Sequence, residues 1–299
     1  GLPICDLVGG RCRDSIPVYN TCVDTPLHDD QHAFLTRAGD LAESLLAEGI
    51  AHMKVWPWDR FAPQRTAGGT AVRVGPAGWS AVGPPGHRLS AVDLASGLET
   101  VRAIRERVGN RMAISIEGHS RWDLPCAIAI ARAVESYDVA WMEDMIQPDS
   151  AEDLARLARE TRAPQAVSER LFTRYAFREV LSAQAAHVVL FDAIWTGGLT
   201  ESIKIATLAD TWHLPFAPHD CTGPVNVIAC LHLCAALPNA MTMEIVRGFC
   251  KGWYRDILDR PLDIREGHAR LDAFAPGLGV ALAPALLARP DLVRRSSAR

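Results

Sequence analysis

Apolar residues along the chain follow two patterns. At 16–22, 51–55, 112–116, 139–142, 166–168, 187–191, 216–218 and 241–246 they form short, nearly unbroken runs. Between the runs, at 31–48, 92–107, 124–134, 151–159, 175–182, 199–213 and 226–237, they recur every three or four positions. In the first such stretch they are Phe34, Leu35, Ala38, Leu41, Ala42, Leu45 and Leu46, with Gly49 as the stop. Short continuous runs predict strands buried on both faces, and the longer period predicts helices packed over them. Eight strand–helix units in about 230 residues fit an α/β fold of the TIM-type barrel class. A doubly wound open sheet is the structural alternative, although no GxGxxG opens a helix. The Pro- and Gly-rich stretch 57–89 is long for a connection, and is expected to act as a lid or to meet a neighbouring subunit.

Polar residues end these runs: Lys54, Glu117, Glu143, Glu169, Asp192, His219 and Glu244. The strand ends of such a barrel converge on one mouth. A single acid there can simply cap the next helix, but a set of seven buried polar ends is costly without pairing and points to chemistry. Glu117, Glu143 and Glu169 are evenly spaced, 143 − 117 = 169 − 143 = 26 residues. Three converging carboxylates suit a hard divalent cation such as Mg²⁺, which keeps waters for a substrate to displace.

Composition removes several functional classes. With 31 Lys plus Arg against 35 Asp plus Glu, the formal charge of −4 gives no overall steering toward nucleic acid or an anionic membrane. The eight cysteines include no CxxC pair and read as thiols of a reducing compartment. Cys230-x-His232-x-Cys234 lies inside the apolar helix pattern IACLHLCAAL, where helix packing is favoured over zinc. There is neither a signal-peptide pattern nor an apolar run long enough to span a bilayer, so a cytoplasmic location is expected.

From GLPICDLVGG through the acidic strand ends to PGLGVAL, the ordered set resembles the mandelate racemase branch of the enolase superfamily. The resemblance implies a modified (β/α)7β barrel over 1–252, and a segment 253–299 packed toward an N-terminal capping domain. The chain begins where that cap would join the barrel. The expectation is either a truncated chain or a capless variant whose exposed apolar surface is buried in a homo-oligomer. The resemblance further implies Mg²⁺ held by Glu117, Glu143 and Glu169, and removal of a proton beside a substrate carboxylate through an enediolate. His219 is then the base, and Asp192 holds its tautomer. Glu244 matches the acid that hydrogen-bonds the substrate carboxylate, or pairs with a barrel cation such as Arg247. Lys54 either neutralises that carboxylate or pairs with a ligand acid.

Two departures narrow the reaction. Many relatives carry Lys-x-Lys on the second strand, whereas this chain has Lys54-Val55-Trp56, and tryptophan cannot act as the second base of a racemase. On the third strand the common Asp-x-Asn is replaced by Glu117-Gly118-His119. A histidine there resembles the general acid of some acid-sugar dehydratases; the alternative for His119 is a partner of Glu117 or Glu143. Trp56, Arg170 and Trp195, with Trp58, Asp59 and Trp122, are expected around a polyol chain. The expected function is a Mg²⁺-dependent hydro-lyase that turns a small acid-sugar carboxylate into a 2-keto-3-deoxy acid. The alternatives are an epimerase or cycloisomerase using the same enediolate, and a catalytically silent barrel serving binding or assembly.

Overall fold

The apolar runs become eight parallel strands in the computed structural model, which describes residues 1–63, 66–67, 70–71, 86–270, 275–293 and 295. They are β1 Ser15–Thr21, β2 His52–Val55, β3 Ala113–Glu117, β4 Trp141–Glu143, β5 Gln165–Val167, β6 Val188–Asp192, β7 Phe216–His219 and β8 Met243–Ile245. Each of the first seven pairs with its neighbour in chain order, and β8 returns to β1 through Val18↔Met243 and Tyr19↔Glu244. The last seam is short. Phe216 donates its N–H to the Asn239 carbonyl at 3.0 Å and accepts from Met241 N–H at 2.9 Å, which closes the ring between β7 and the approach to β8. This is the expected TIM-type barrel.

The strands are largely apolar up to their polar ends because both faces are covered. Ile114, Ile116, Met142, Val189, Phe191 and Phe216 all lie in one buried core. Around them run α1 Asp30–Thr36, α2 Ala38–Ala47, α3 Ala91–Val108, α4 Leu124–Val134, α5 Ala151–Glu160, α6 Thr173–Ser182, α7 Leu199–Asp210 and α8 Pro224–Ala236. Three helices begin on side-chain caps: Ser90, Asp123 and Ser150 accept from the N–H groups of Asp93, Cys126 and Asp153. Such caps fix where loop becomes helix, and so set the loop residues at the mouth.

The single helix expected over 31–48 is two. Arg37 leaves the helical region at φ −151° between α1 and α2, and its guanidinium pairs with both oxygens of Asp29 at 2.7 Å. The apolar period runs through this break because both halves face the same core. Cys230, His232 and Cys234 are buried on α8, with His232 bonded to the Leu278 carbonyl at 3.0 Å, as helix packing predicts.

Beyond β8, short helices α9 Arg247–Lys251 and α10 Tyr254–Ile257 lead to a hairpin of β9 Asp263–Arg265 and β10 His268–Arg270. This hairpin pairs antiparallel with the start of β1, the end away from the mouth. Most of the stretch proposed as a lid or subunit contact, 64–65, 68–69 and 72–85, lies outside the described residues. Among the described residues no helix is long and apolar enough to cross a membrane.

Candidate active site

Strand register brings the polar strand ends together. Glu117 of β3 is the direct partner of Glu143 of β4, and Asp192 of β6 is the partner of His219 of β7. Thr21 of β1 stands beside Lys54 of β2, and Tyr19 beside Glu244 of β8. Glu169 follows β5 by two residues. The three glutamates are buried and offer carboxylate oxygens within 4.8 Å of one another. Ligand oxygens across a Mg²⁺ octahedron stand about 4 Å apart, so small side-chain movements bring all three to one ion. Glu117 Oε2 is also buried without a hydrogen bond, as a ligand atom awaiting a cation would be. Hard oxygen donors only, buried and crowded, fit a hard divalent cation.

Among these acids, Lys54 supplies a positive charge. Its Nζ contacts Glu143 Oε1, lies 2.8 Å from Glu244 Oε1, and stands 3.0 Å from Glu117 Oε2 without hydrogen-bond alignment. One ammonium does not satisfy this many acids. Burial raises the Glu117 carboxyl, but Lys54 and then His119 outweigh it and hold the group down at about 2. Glu143 moves the other way, well above the usual carboxylate range, through burial and then the negative charge of Glu117, against Lys54. A divalent ion held by these glutamates would favour the ionised form of each.

On one side of the glutamates, His219 Nδ1 lies 2.9 Å from Asp192 Oδ2. The other oxygen of Asp192 accepts from the N–H groups of Ile194 at 2.8 Å and Trp195 at 3.0 Å, which fixes the carboxylate. His219 Nε2 faces Glu169 Oε2 at 2.9 Å and Cys221 Sγ at 3.5 Å. Burial lowers the His219 imidazole, but Glu169, then Cys221 and Glu244, raise it well above its ordinary value. Trp195 packs on this ring at 5.2 Å and is 42% exposed.

On the other side, His119 Nδ1 lies 2.7 Å from Asp59 Oδ2, and the His119 N–H donates to Glu117 Oε1 at 2.9 Å. Trp56 meets the His119 ring edge-on at 5.4 Å. The site therefore holds a triad of glutamates between two histidine–aspartate pairs.

Other expected contacts separate. Arg170 is partly exposed at the rim, 3.8 Å from Glu169 Oε1. Trp58 and Trp122 are buried, and Trp58 donates Nε1–H to the Leu94 carbonyl at 3.2 Å. Asp59 is fully buried against His119 rather than open to a polyol. Arg247 turns away from Glu244 to Asp30, at 2.8 and 2.5 Å, and to Glu48 at 3.0 Å. Glu244 instead accepts from Thr21 Oγ1 and from the Asp220 N–H at 3.0 Å.

A buried network that sequence reasoning missed supports the His219 strand. The Asn226 amide donates to Asp220 Oδ1 at 3.0 Å and to Asp192 Oδ2 at 3.3 Å, while the Tyr254 hydroxyl donates to Asp220 Oδ2 at 3.2 Å. Asn226 alone is polar in the run PVNVIACL, and that was its available signal. Burial, and further on Glu244 and Asp192, push the Asp220 carboxyl up to about 7, against His219 and Asn226. A carboxyl raised on folding costs stability as pH rises from its unfolded value toward its folded one. Asp220→Asn, which resembles the protonated form, is expected to leave the melting temperature unchanged near pH 4 and to raise it at pH 8. Calorimetry at the two pH values checks this; a uniform loss at both would reject it.

Residues 37–286 match the model of the enolase C-terminal domain-like family. The chain is 35% identical to a D-galactonate dehydratase of Xanthomonas campestris pv. campestris, covering 97% of this chain and 69% of that protein. It is 27% identical to a D-xylonate dehydratase of Haloferax volcanii, covering 94% of this chain and 63% of that one. An enolase of the mandelate racemase subgroup from Agrobacterium tumefaciens superposes with a TM-score of 0.80 at 41% identity, covering 94% of this chain and 67% of that structure. The chain thus spans about two thirds of the length of these relatives.

Proposed function

This chain belongs to the enolase C-terminal domain-like family, and from that membership we propose that it is a Mg²⁺-dependent hydro-lyase acting on a small acid-sugar carboxylate. The observation that carries the reading is the set of three buried glutamates flanked by two histidine–aspartate pairs. The sugar-acid dehydratases among its relatives support the substrate class.

Glu117, Glu143 and Glu169 would hold the ion. When bound, Mg²⁺ supplies the positive charge that offsets the second negative charge appearing when a proton beside a carboxylate is lost. His219 takes that proton; Asp192, fixed by two backbone N–H groups, keeps the imidazole in one tautomer and stabilises it once charged. Lys54 and Glu244 meet the substrate carboxylate. His119 gives its proton to the β-hydroxyl as the C–O bond breaks, water leaves, and the enol product tautomerises to a 2-keto-3-deoxy acid. Trp56, Trp195 and Arg170 flank the remaining carbons. Trp56, buried two residues after Lys54 and unable to accept a proton, supports elimination over two-base racemisation.

The test is incubation with Mg²⁺ and a panel of aldonic acids including D-galactonate and D-xylonate, assayed for 2-keto-3-deoxy products. Exchange of the α-proton with solvent deuterium without water loss would favour an epimerase; no exchange with any acid would favour a silent binding barrel. His119→Asn is expected to slow water loss by about 10²–10⁴-fold while retaining α-proton exchange. If that variant instead loses Mg²⁺ affinity, measured by calorimetry, His119 serves the metal and not the leaving group.

A further inference from the structure

The sequence gives Asp59 no evident tie to His119, sixty positions away, yet the fold joins them. The chain leaves β2 through Trp56 and Trp58 and turns at Asp59–Phe61 in a single 3-10 turn, with Phe61 N–H bonded to the Trp58 carbonyl at 2.9 Å. That turn drives Asp59 fully inside, where Oδ2 meets His119 Nδ1 at 2.7 Å and Oδ1 has no hydrogen bond. The His119 side chain is 14% exposed. Its backbone sits in the left-handed region at φ 45°, with its N–H on Glu117 Oε1. The ring therefore has one nitrogen on a buried carboxylate, one edge on Trp56 and its main chain on a glutamate of the triad.

We propose that Asp59 is a positioning residue for His119: it holds Nδ1 and so turns Nε2, the other ring nitrogen, toward the substrate's departing hydroxyl. The inference rests on the dehydratase reading above. Asp59 itself touches no substrate. The arrangement repeats just beyond β2 and β3 what Asp192 does for His219 on β6 and β7, so base and acid are each oriented by their own buried aspartate. A carboxylate that accepts from one imidazole nitrogen selects the tautomer and ring angle of the other, and the amide isostere loses that selection.

The test compares Asp59→Asn, His119→Asn and the double variant in the chain as it stands, with Mg²⁺ and the best acid from the panel. Asp59→Asn is expected to lower the water-loss kcat about 10–100-fold, with KM and α-proton exchange within about twofold. On the His119→Asn background it should add nothing, since a positioning residue has nothing left to position. Multiplying losses in the double variant would overturn the proposal.

A second readout does not depend on turnover. In two-bond ¹H–¹⁵N spectra of histidine-labelled protein, the signal lost in His119→Asn should show a proton held on Nδ1 in the wild type, and a mixed tautomer in Asp59→Asn. An unchanged tautomer in that variant overturns the proposal. If the wild-type chain dehydrates nothing, the functional reading fails while this measurement still decides the role of Asp59. If Asp59→Asn does not fold, the wild-type spectrum decides alone: a His119 ring protonated only on Nε2 rejects the proposal.

Discussion

His219→Asn is expected to abolish both α-proton exchange and water loss, a fall of at least about 10³-fold in each. Asparagine keeps a polar group near Asp192 but cannot accept a proton from carbon. The loss should appear in kcat with substrate binding retained, because His219 acts only as the C–H bond breaks. This separates the two histidines: removing His219 stops exchange, whereas removing His119 spares it. Persistence of exchange at the wild-type rate in His219→Asn would reject His219 as the base. Loss of Mg²⁺ binding would point instead to its contact with Glu169, 2.9 Å from Nε2.

The barrel and most of this arrangement were legible in the sequence because both depend on period. Continuous apolar runs report strands covered on two faces, and a polar residue at the end of each run marks the mouth. Parallel register then makes Glu117 and Glu143, or Asp192 and His219, neighbours with no further information. What period does not encode is where loop residues go. Asp59 reads as one more polar residue in WPWDRF, and only a turn that buries it reveals its partner. Tyr254 reaches Asp220 from a four-residue helix beyond the last barrel strand, β8, a contact that no spacing rule anticipates. The break at Arg37 was hidden for the opposite reason: the apolar spacing continues across it, so the pattern reports one face where the backbone makes two helices.

Lys54→Met is expected to be the most destabilising single substitution in the metal-free site, by about 3–5 kcal/mol, and Mg²⁺ should recover much of that loss. Lys54 is 2% exposed, and its ammonium is the one cation that touches Glu117, Glu143 and Glu244 together among the described residues. Methionine fills nearly the same volume, so packing is kept and the charge alone is lost. The stranded carboxylates must then take up protons, and acids raised on folding cost stability as pH rises above their unfolded values. The deficit should therefore be small near pH 4 and grow toward neutrality. A divalent ion held by the same glutamates would replace the missing charge. Ligand that binds only the folded state stabilises it by about 2.7 kcal/mol at a hundred times its Kd. Calorimetric melting at pH 7 with and without Mg²⁺ checks this: the metal-induced rise should be larger in the variant than in the wild type. Equal rises would mean that lysine and metal do not serve the same glutamates, which would undo the assignment of the triad as the ion's ligands.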